Sequence, residues 1–188
     1  RGGIVGHVMR RLIHVSCIVT LSIVYFSYGV TWAAAERVAP VVLIMVVTAI
    51  VLLAEGVRLC CGWIFFAQRE HERHQLSSAA MSMLGLAVVL WLAPSASYAY
   101  ALVITAALVD PWAGEGRRYG LSQRTTYAGS LLLAYLVWGV SGWFWGLSLW
   151  AILLAPPLTV VMESVDWRYW DDNFLMLAVP AVLVTVLV

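Results

Sequence analysis

The sequence contains no lysine, and only 11% of its 188 residues are charged. Its eleven basic residues are therefore all arginine. Cysteine is also scarce, because Cys17, Cys60 and Cys61 are the only three and each lies in an apolar stretch. Thiols in such surroundings are typical of packed side chains and not of a disulfide framework or a metal site. So small a share of charge excludes an ordinary soluble domain, in which about 25% of residues are charged.

Apolar sequence is what the chain has in excess. Hydrophobic residues make up 63% of the chain, compared with about 45–50% in soluble domains. A helix needs about 20 apolar residues to cross a bilayer. We therefore predict an all-α fold, a polytopic transmembrane helical bundle formed by a single domain over residues 1–188, in a multi-pass integral membrane protein. Seven spans are expected, at 9–31, 39–58, 77–94, 97–110, 126–141, 143–162 and 173–188.

The arginines predict the orientation of this bundle. With the N-terminus in the cytoplasm, Arg37 is the only arginine outside, and the other ten lie at or near the inner face. An excess of basic residues on the cytoplasmic side is the usual pattern in membrane proteins. The N-terminus is therefore expected in the cytoplasm, and the membrane is the cell membrane if the source is prokaryotic.

One connection between predicted spans contains a combination of an acidic residue, glycines and arginines that the orientation of the bundle does not require. Between Asp110 and Arg124 lie three glycines and two further arginines: Gly114, Gly116, Gly120, Arg117 and Arg118. Glycines let backbone N–H groups approach phosphate oxygens, and arginines neutralise phosphate charge. Asp110 is a suitable ligand for a hard cation such as Mg²⁺. The residues predict a loop that holds phosphate and metal, and the alternative is a membrane-flanking loop whose arginines only set the topology.

Acidic residues are concentrated before the last predicted span. Glu163, Asp166, Asp171 and Asp172 lie within ten residues and are followed by Asn173. Four carboxylates beside arginine-rich connections indicate metal ligands or salt-bridge partners, although a solvated turn explains them equally well. Asp and Asn also cap helix N-termini, so this segment is the predicted start of the last helix.

Two other sets of ionisable residues lie near the predicted inner face. Glu55 and Arg58 are three residues apart on one helix and are expected to pair. His14 lies four residues after Arg10 and three after Arg11, on one helix face. Ionisable groups at membrane depth are usually functional, and the alternative for each set is a structural role at the membrane interface.

In order along the chain, these motifs resemble the CTP-dependent polyprenol kinases, a family that includes dolichol kinase, phytol kinase and the yeast-type diacylglycerol kinase. Arg10-Arg11-Leu12-Ile13-His14 resembles the basic-basic-x-x-His motif of the family's first span, and Glu55 with Arg58 resembles the pair that closes its second. Asp110 to Gly120 is similar to the family's nucleotide loop, with one residue fewer between Ala113 and Gly116. Arg69-Glu70-x-Glu72 followed by Gln75–Ala79 is similar to the segment that leads into the family's third span, and Gly129-Ser130 is similar to the entry of the span after the nucleotide loop. Glu163 and Asp171-Asp172-Asn173 resemble the family's late acidic motifs.

The resemblance implies a particular activity. The implied protein is an enzyme that transfers the γ-phosphoryl group of CTP to the hydroxyl of a membrane isoprenoid alcohol of the dolichol or polyprenol type. The implied partners are CTP, the lipid alcohol and the bilayer, with no nucleic acid, and the implied active site faces the cytoplasm. The oligomeric state stays open.

The resemblance also implies roles for single residues. Asp110, with Asp171 or Asp172 and with Glu163, would hold Mg²⁺ against the CTP phosphates. Nucleotide contacts would come from Ala113, Gly114, Gly116, Arg117, Arg118, Gly120 and Arg124. Support for the site would come from Arg10, Arg11, Arg58 and Asn173. His14 or Glu55 would accept the hydroxyl proton, since general bases are usually histidines or carboxylates.

Other functions stay open at this point. A CDP-lipid synthase would also use CTP, but it would attack the α-phosphate and release pyrophosphate. A small transporter would need ionisable residues near the bilayer midplane, and the predicted spans have almost none there. A purely structural membrane protein would leave the Asp110–Gly120 motif without an explanation.

Overall fold

The computed structural model describes residues 3–64, 70–165, 167 and 170–188, except for the side chains of residues 3–7, 10, 13–14 and 70–71. The described residues form helices and no strands, which confirms the all-α prediction. The helices are α1 (Gly3–Val24), α2 (Val30–Ala35), α3 (Pro40–Cys61), α4 (Ser78–Leu92), α5 (Ala96–Arg118), α6 (Gln123–Trp145), α7 (Leu149–Glu163) and α8 (Asp172–Leu187). A π-helical segment, Tyr25–Gly29, joins α1 to α2 without a break, and a 3₁₀ turn, Glu70–His74, precedes α4.

Within the described residues, three helical segments are long and apolar enough to cross a membrane: Val15–Ala35, Pro40–Cys61 and Gln123–Trp145. They coincide with the first, second and fifth predicted spans. The helices α4, α7 and α8 are also apolar but have only 15 or 16 residues, whereas a helix that crosses a bilayer has about 20. The helices therefore have the character of a membrane protein, and the count of seven spans stays a prediction.

The boundaries of α5 and α7 differ most from those predicted. α5 continues to Arg118, well beyond the predicted end at 110, and it contains Pro111. α7 begins at Leu149 and not at 143, because α6 runs on to Trp145. Gly146 then ends α6 with a φ of 65°, a left-handed conformation that glycine adopts at low cost. Hydropathy alone locates the helices, but these ends depend on single residues.

Side-chain caps fix the starts of three helices. Ser77 accepts a hydrogen bond from the backbone N–H of Ala80 (3.2 Å) at the start of α4. Ser122 accepts one from Thr125 (3.1 Å) at the start of α6. Asp171 caps α8, as the sequence predicted. Such caps satisfy backbone donors that have no partner within the helix.

The core of the bundle is centred on α5, which packs against α1, α6, α7 and α8. Its buried residues include the alanines 99, 101, 106 and 113, whose small side chains let neighbouring helices approach closely. Trp138 of α6 is fully buried beside Tyr98 of α5, with ring centroids 6.5 Å apart. The groups at the C-terminal end of α5 are therefore carried by a helix in the core of the bundle.

Helix ends of alternating direction meet at one end of the bundle. Here Arg58 of α3 reaches the segment before α4, and Ser78 of α4 contacts Asp171 at the start of α8. Arg117 of α5 pairs with Glu163 at the end of α7. We call this the polar end of the bundle, and it comprises the C-terminal ends of α3, α5 and α7 and the N-terminal ends of α4 and α8, with α6 starting beside α5.

Gly129 marks the place where α6 lies closest to Trp112 of α5. A Cβ atom at this position would overlap the indole ring, whose Nε1 donates to the carbonyl of Thr126 (3.1 Å). We expect Gly129→Ala to displace the ring and to lower the free energy of unfolding by about 1–3 kcal/mol. Thermal unfolding of the purified protein in detergent micelles measures this loss.

The matched control is Gly139→Ala on the same helix. A Cβ atom at Gly139 meets nothing within 4 Å. Because alanine is a better helix former than glycine, this variant should gain about 0.5–1 kcal/mol. Equal stability of the two variants would contradict the close packing of Trp112 on α6.

Candidate functional site

Carboxylates from three helices converge at the polar end. Asp110 belongs to α5, Glu163 is the last residue of α7, and Asp172 is the first residue of α8. Asp110 and Glu163 lie near enough to Asp172 for their charges to affect its titration. The structure thus brings together acids that are far apart in the sequence, and with Asp171 they are the four predicted metal residues.

Burial, hydrogen bonds and neighbouring charges change the titration of the two acids that precede the last predicted span. Burial, the adjacent Asp171 and the charges of Asp110 and Glu163 raise the pKa of Asp172 to about 8. Burial also acts to raise the pKa of Asp171, but hydrogen bonds from Asp172 and Asn173 hold it below its ordinary value. A cation placed among these acids would relieve their repulsion.

Asn173 fixes the acids at the start of α8. Its side-chain amide donates to Oδ1 of Asp171, to Oδ1 of Asp172 (3.1 Å) and to Oγ of Ser78 (2.8 Å). Its backbone N–H lies 2.9 Å from Oδ1 of each carboxylate. The two acids are thus oriented by the first turn of α8 and by α4. Of the predicted supporting residues, Asn173 has the most direct contact with the acids.

The donor set suits Mg²⁺ better than a metal bound by protein alone. In the part of the chain that the structure describes, no three acidic, histidine or cysteine side chains meet closely enough to form a ready-made metal site. Mg²⁺ usually keeps several waters and takes one or two protein carboxylates together with substrate phosphates. Asp110 of α5 and the acids at the start of α8 would therefore need waters and substrate phosphates to complete such a site.

Arginines lie between and beside these acids. Arg11 of α1 contacts Asp110 (Nη1 to Oδ2, 3.8 Å) and Glu115 (Nε to Oε1, 3.3 Å). Arg118 reaches the other oxygen of Glu115 at 3.9 Å. These pairs connect α1 with the last turns of α5. Arg11, a predicted supporting residue, therefore lies beside Asp110, a predicted metal residue.

Arg117 occupies the solvent side of the cluster. Its Nη1 lies 2.5 Å from Oε1 of Glu163, and its side chain is 57% exposed whereas that of Glu163 is 2% exposed. A guanidinium group has five donors, so Arg117 can contact a phosphate while it still neutralises Glu163. Arg124 lies exposed in the first turn of α6, outside the ion pairs described at the polar end.

The prediction of a glycine-rich loop is wrong. Residues 110–118 form the last turns of α5, and the left-handed turn comes only at Gly120, with a φ of 70°. Helical N–H groups bond to carbonyls four residues earlier, so the amides of Gly114 and Gly116 are not available to phosphate. A helix C-terminus also carries a partial negative charge. That charge favours a cation at this place over a phosphate.

The glycines of α5 allow close packing instead. A Cβ atom on Gly114 would overlap the guanidinium group of Arg11, and one on Gly116 would lie 2.8 Å from Oγ1 of Thr126 in α6. Ala113 is fully buried. Small residues have this role in many membrane helices. The predicted nucleotide contacts at these three positions would have to come from neighbouring arginine side chains.

The predicted pair of Glu55 and Arg58 is confirmed as a buried ion pair. Arg58 donates from Nε to Oε2 (2.9 Å) and from Nη2 to Oε1 (2.8 Å) of Glu55. The backbone N–H of Ser77 also donates to Oε1, at 2.5 Å. Arg58 further donates to the carbonyls of Trp63 (3.1 Å) and Gln75 (2.8 Å). Both oxygens of Glu55 are engaged, so the geometry favours a structural role, in which it ties α3 to the start of α4.

Some predicted residues lie outside the described residues. His14 and Arg10 are on α1, but their side chains are not described. No part of Asp166 is described. The backbone places His14 one turn along α1 from Arg11. His14 therefore stays a prediction as a general base.

Two residues of the cluster were not predicted as site residues. Glu115 bridges Arg11 and Arg118, and its spacing of three from Arg118 on one helix is the signal that could have found it. Ser78 contacts both Asp171 and Asn173. The sequence indicates a helix start near Ser78, but its contact with α8 depends on tertiary packing.

Comparison of the chain with protein-family models, curated proteins and solved structures finds no match. The function must therefore be inferred from the residues and the geometry of the polar end. That geometry consists of buried and partly buried acids paired with arginines at one end of an apolar bundle.

Proposed function

We propose that the protein is a CTP-dependent lipid kinase that transfers the γ-phosphoryl group of CTP to the hydroxyl of a membrane isoprenoid alcohol of the dolichol or polyprenol type. The observation that carries this proposal is the convergence of acids from α5, α7 and α8 with Arg11 and Arg117 at one end of an apolar helical bundle. Phosphoryl transfer requires mainly positioning and charge stabilisation from the protein. Acids interleaved with arginines can supply both.

The reaction forms one bond and breaks another at the γ-phosphorus. The oxygen of the lipid hydroxyl forms a bond to the γ-phosphorus. The bond between the γ-phosphorus and the β–γ bridging oxygen breaks, which gives a lipid phosphate and CDP. The proton of the hydroxyl passes to a base. Mg²⁺ bound with CTP would neutralise phosphate charge. Asp110, with Asp171 or Asp172, would hold the ion, and Glu163 would add negative charge beside it.

The arginines would bind the phosphates of CTP. Arg117 and Arg118 are suited to this by their exposure on the last turn of α5. Arg11 would hold the carboxylate of Asp110 in position through their ion pair. We propose His14 as the general base, since it follows Arg11 by three residues on α1 and since the carboxylate of Glu55 is already engaged.

The proposed topology places this chemistry where CTP is found. The bundle would have seven spans with its N-terminus in the cytoplasm, and the polar end would face the cytoplasm. The lipid alcohol would reach the polar end from within the bilayer. CTP would come from the aqueous side.

Transfer of label from CTP tests the reaction. Purified protein in vesicles that contain a polyprenol should move label from γ-labelled CTP into the lipid, in a Mg²⁺-dependent way, and should move none from α-labelled CTP. Label from the α position would identify a CDP-lipid synthase instead. Absence of lipid labelling from either position, across a panel of isoprenoid alcohols, would contradict both activities. The same assay with γ-labelled ATP measures the preference for the cytosine nucleotide.

A further inference from the structure

The end of the bundle opposite the polar end is built differently. Here the ends of α4, α6 and α8 meet the starts of α5 and α7. Tyr100 of α5 lies beside Trp145 of α6, with ring centroids 6.2 Å apart. The hydroxyl of Thr185, near the end of α8, donates to the carbonyl of Leu92 at the end of α4 (2.8 Å). These contacts bring the helix ends to a common level.

Exposed tryptophans are concentrated at this end. We call it the tryptophan end, and its exposed indoles are those of Trp32 in α2, Trp91 in α4, Trp143 and Trp145 in α6, and Trp150 in α7. Residues 75–109 and 125–162, which carry four of these five, contain no charged residue. Large exposed apolar patches on a protein mark surfaces that bind another molecule or a membrane.

The two faces of α6 differ in what they carry. Leu132, Leu136 and Trp143 are exposed and lie on one face, at positions i, i+4 and i+11. Ala134 and Trp138 are fully buried on the other side. Trp143 is 87% exposed, so it takes no part in the packing of the bundle. A face that is aliphatic along its length and aromatic at its end is typical of a helix that faces lipid.

The spacing of arginine and tryptophan along the helices matches a bilayer. Arg124 and Trp143 are 19 residues apart on α6, a rise of about 28 Å. Arg11 and Trp32 are 21 residues apart on the continuous first helical rod, a rise of about 31 Å. The hydrocarbon layer of a bilayer is about 30 Å thick. Two separate helices therefore place an arginine and a tryptophan one hydrocarbon thickness apart, a spacing that a protein partner would not require.

We propose that the tryptophan end is a lipid-binding surface that lies in the headgroup and ester layer of the leaflet opposite the polar end. The indole rings lie against the upper acyl chains, and their N–H groups donate to ester carbonyl oxygens. Because the segments that form most of this end contain no charge, zwitterionic phospholipids are sufficient partners. This role is independent of phosphoryl transfer. The competing states of the surface are open contact with water and coverage by another protein chain.

Spin labels on single cysteines measure the depth of this end. The full chain, with Cys17, Cys60 and Cys61 replaced by alanine, carries a nitroxide at Phe144→Cys or at Leu132→Cys in phosphatidylcholine vesicles. Both positions are exposed on α6, and Leu132 lies about 18 Å from Phe144 along the helix. We expect the label at 144 to collide to an intermediate degree with both oxygen and a water-soluble nickel complex. The label at 132 should collide with oxygen almost exclusively.

The alternatives give different results. Tyr119→Cys, in the exposed turn between α5 and α6, supplies the reference for a label in water. A label at 144 that meets the nickel complex as freely as the label at 119 would show an end in water and would overturn the proposal. A label at 144 that neither reagent reaches would show a surface covered by protein, which would also overturn it. Neither result depends on whether the protein transfers phosphate.

A pair of substitutions tests whether the indoles set the depth. Trp143→Leu combined with Trp150→Leu replaces two exposed indoles by aliphatic side chains that prefer hydrocarbon. The label at 144 should then move toward the bilayer centre by up to about one helical turn, 5 Å, and its ratio of oxygen to nickel collisions should rise. The matched control is Leu136→Ile combined with Leu153→Ile, which exchanges exposed aliphatic residues on the same two helices. An equal collision ratio in the two double variants would contradict the anchoring role.

Discussion

Asp110→Asn is expected to reduce lipid phosphorylation by roughly 10²-fold or more, because the removal of one well-placed electrostatic group from a transfer site has an effect of this size. Asp110 lies beside Arg11 and close enough to Glu163 and Asp172 to affect their titration. Asparagine keeps the size of the side chain but removes the charge that would hold Mg²⁺. The initial rate of label transfer from γ-labelled CTP to polyprenol measures the loss.

Glu115→Gln is the control for this prediction. Glu115 lies on the same helix and also contacts Arg11, but it is not among the acids that act on Asp172. We therefore expect Glu115→Gln to keep most of its activity, and a higher Mg²⁺ concentration to restore part of the activity of Asp110→Asn only. An undiminished rate in Asp110→Asn, or an equal loss in the two variants, would refute the metal assignment.

Arg58→Ala is expected to cause the largest loss of stability, about 3–5 kcal/mol. The side chains of Arg58 and Glu55 are 2% and 8% exposed, and removal of one partner of a buried pair leaves the other charge without compensation. The variant also leaves the carbonyls of Trp63 and Gln75 without their donor. Thermal unfolding in detergent micelles measures the effect.

Two further variants test whether the loss of stability in Arg58→Ala reflects a structural role of the buried ion pair. Arg118 pairs with Glu115 at 3.9 Å and both side chains are at least one-third exposed, so Arg118→Ala should change stability by about 0–1 kcal/mol. A similar loss in Arg58→Ala and Arg118→Ala would contradict the structural role of the buried pair. Glu55→Gln, assayed well below its unfolding temperature, should retain activity. A folded but inactive Glu55→Gln would return Glu55 to the list of candidate bases.

The sequence predicted the helices because hydropathy decides them, and it predicted the cap at Asp171 because capping is local. It also placed Asp110, Glu163 and Asp171 at one end of the bundle, since helices of alternating direction bring such ends together. The pairing of Glu55 with Arg58 followed from their spacing on one helix.

The sequence failed where packing decides the conformation. Gly114 and Gly116 suggested a loop, but in an apolar bundle small residues also mark the places where helices touch. Here they accommodate Arg11 and Thr126 against α5. The π-helical segment has no local signal, because it depends on how α3 is held against the first helix.

The shortness of α4, α7 and α8 affects how a substrate in the bilayer would meet one from water. With 15 or 16 residues each, these helices are about 22–24 Å long, compared with a hydrocarbon thickness of about 30 Å. They carry Ser78, Glu163 and Asp172, so these residues would sit in a depression below the level of the lipid headgroups, with the surrounding bilayer thinned. A lipid alcohol would then reach the acids without leaving the hydrocarbon, and the nucleotide would travel inward to meet it.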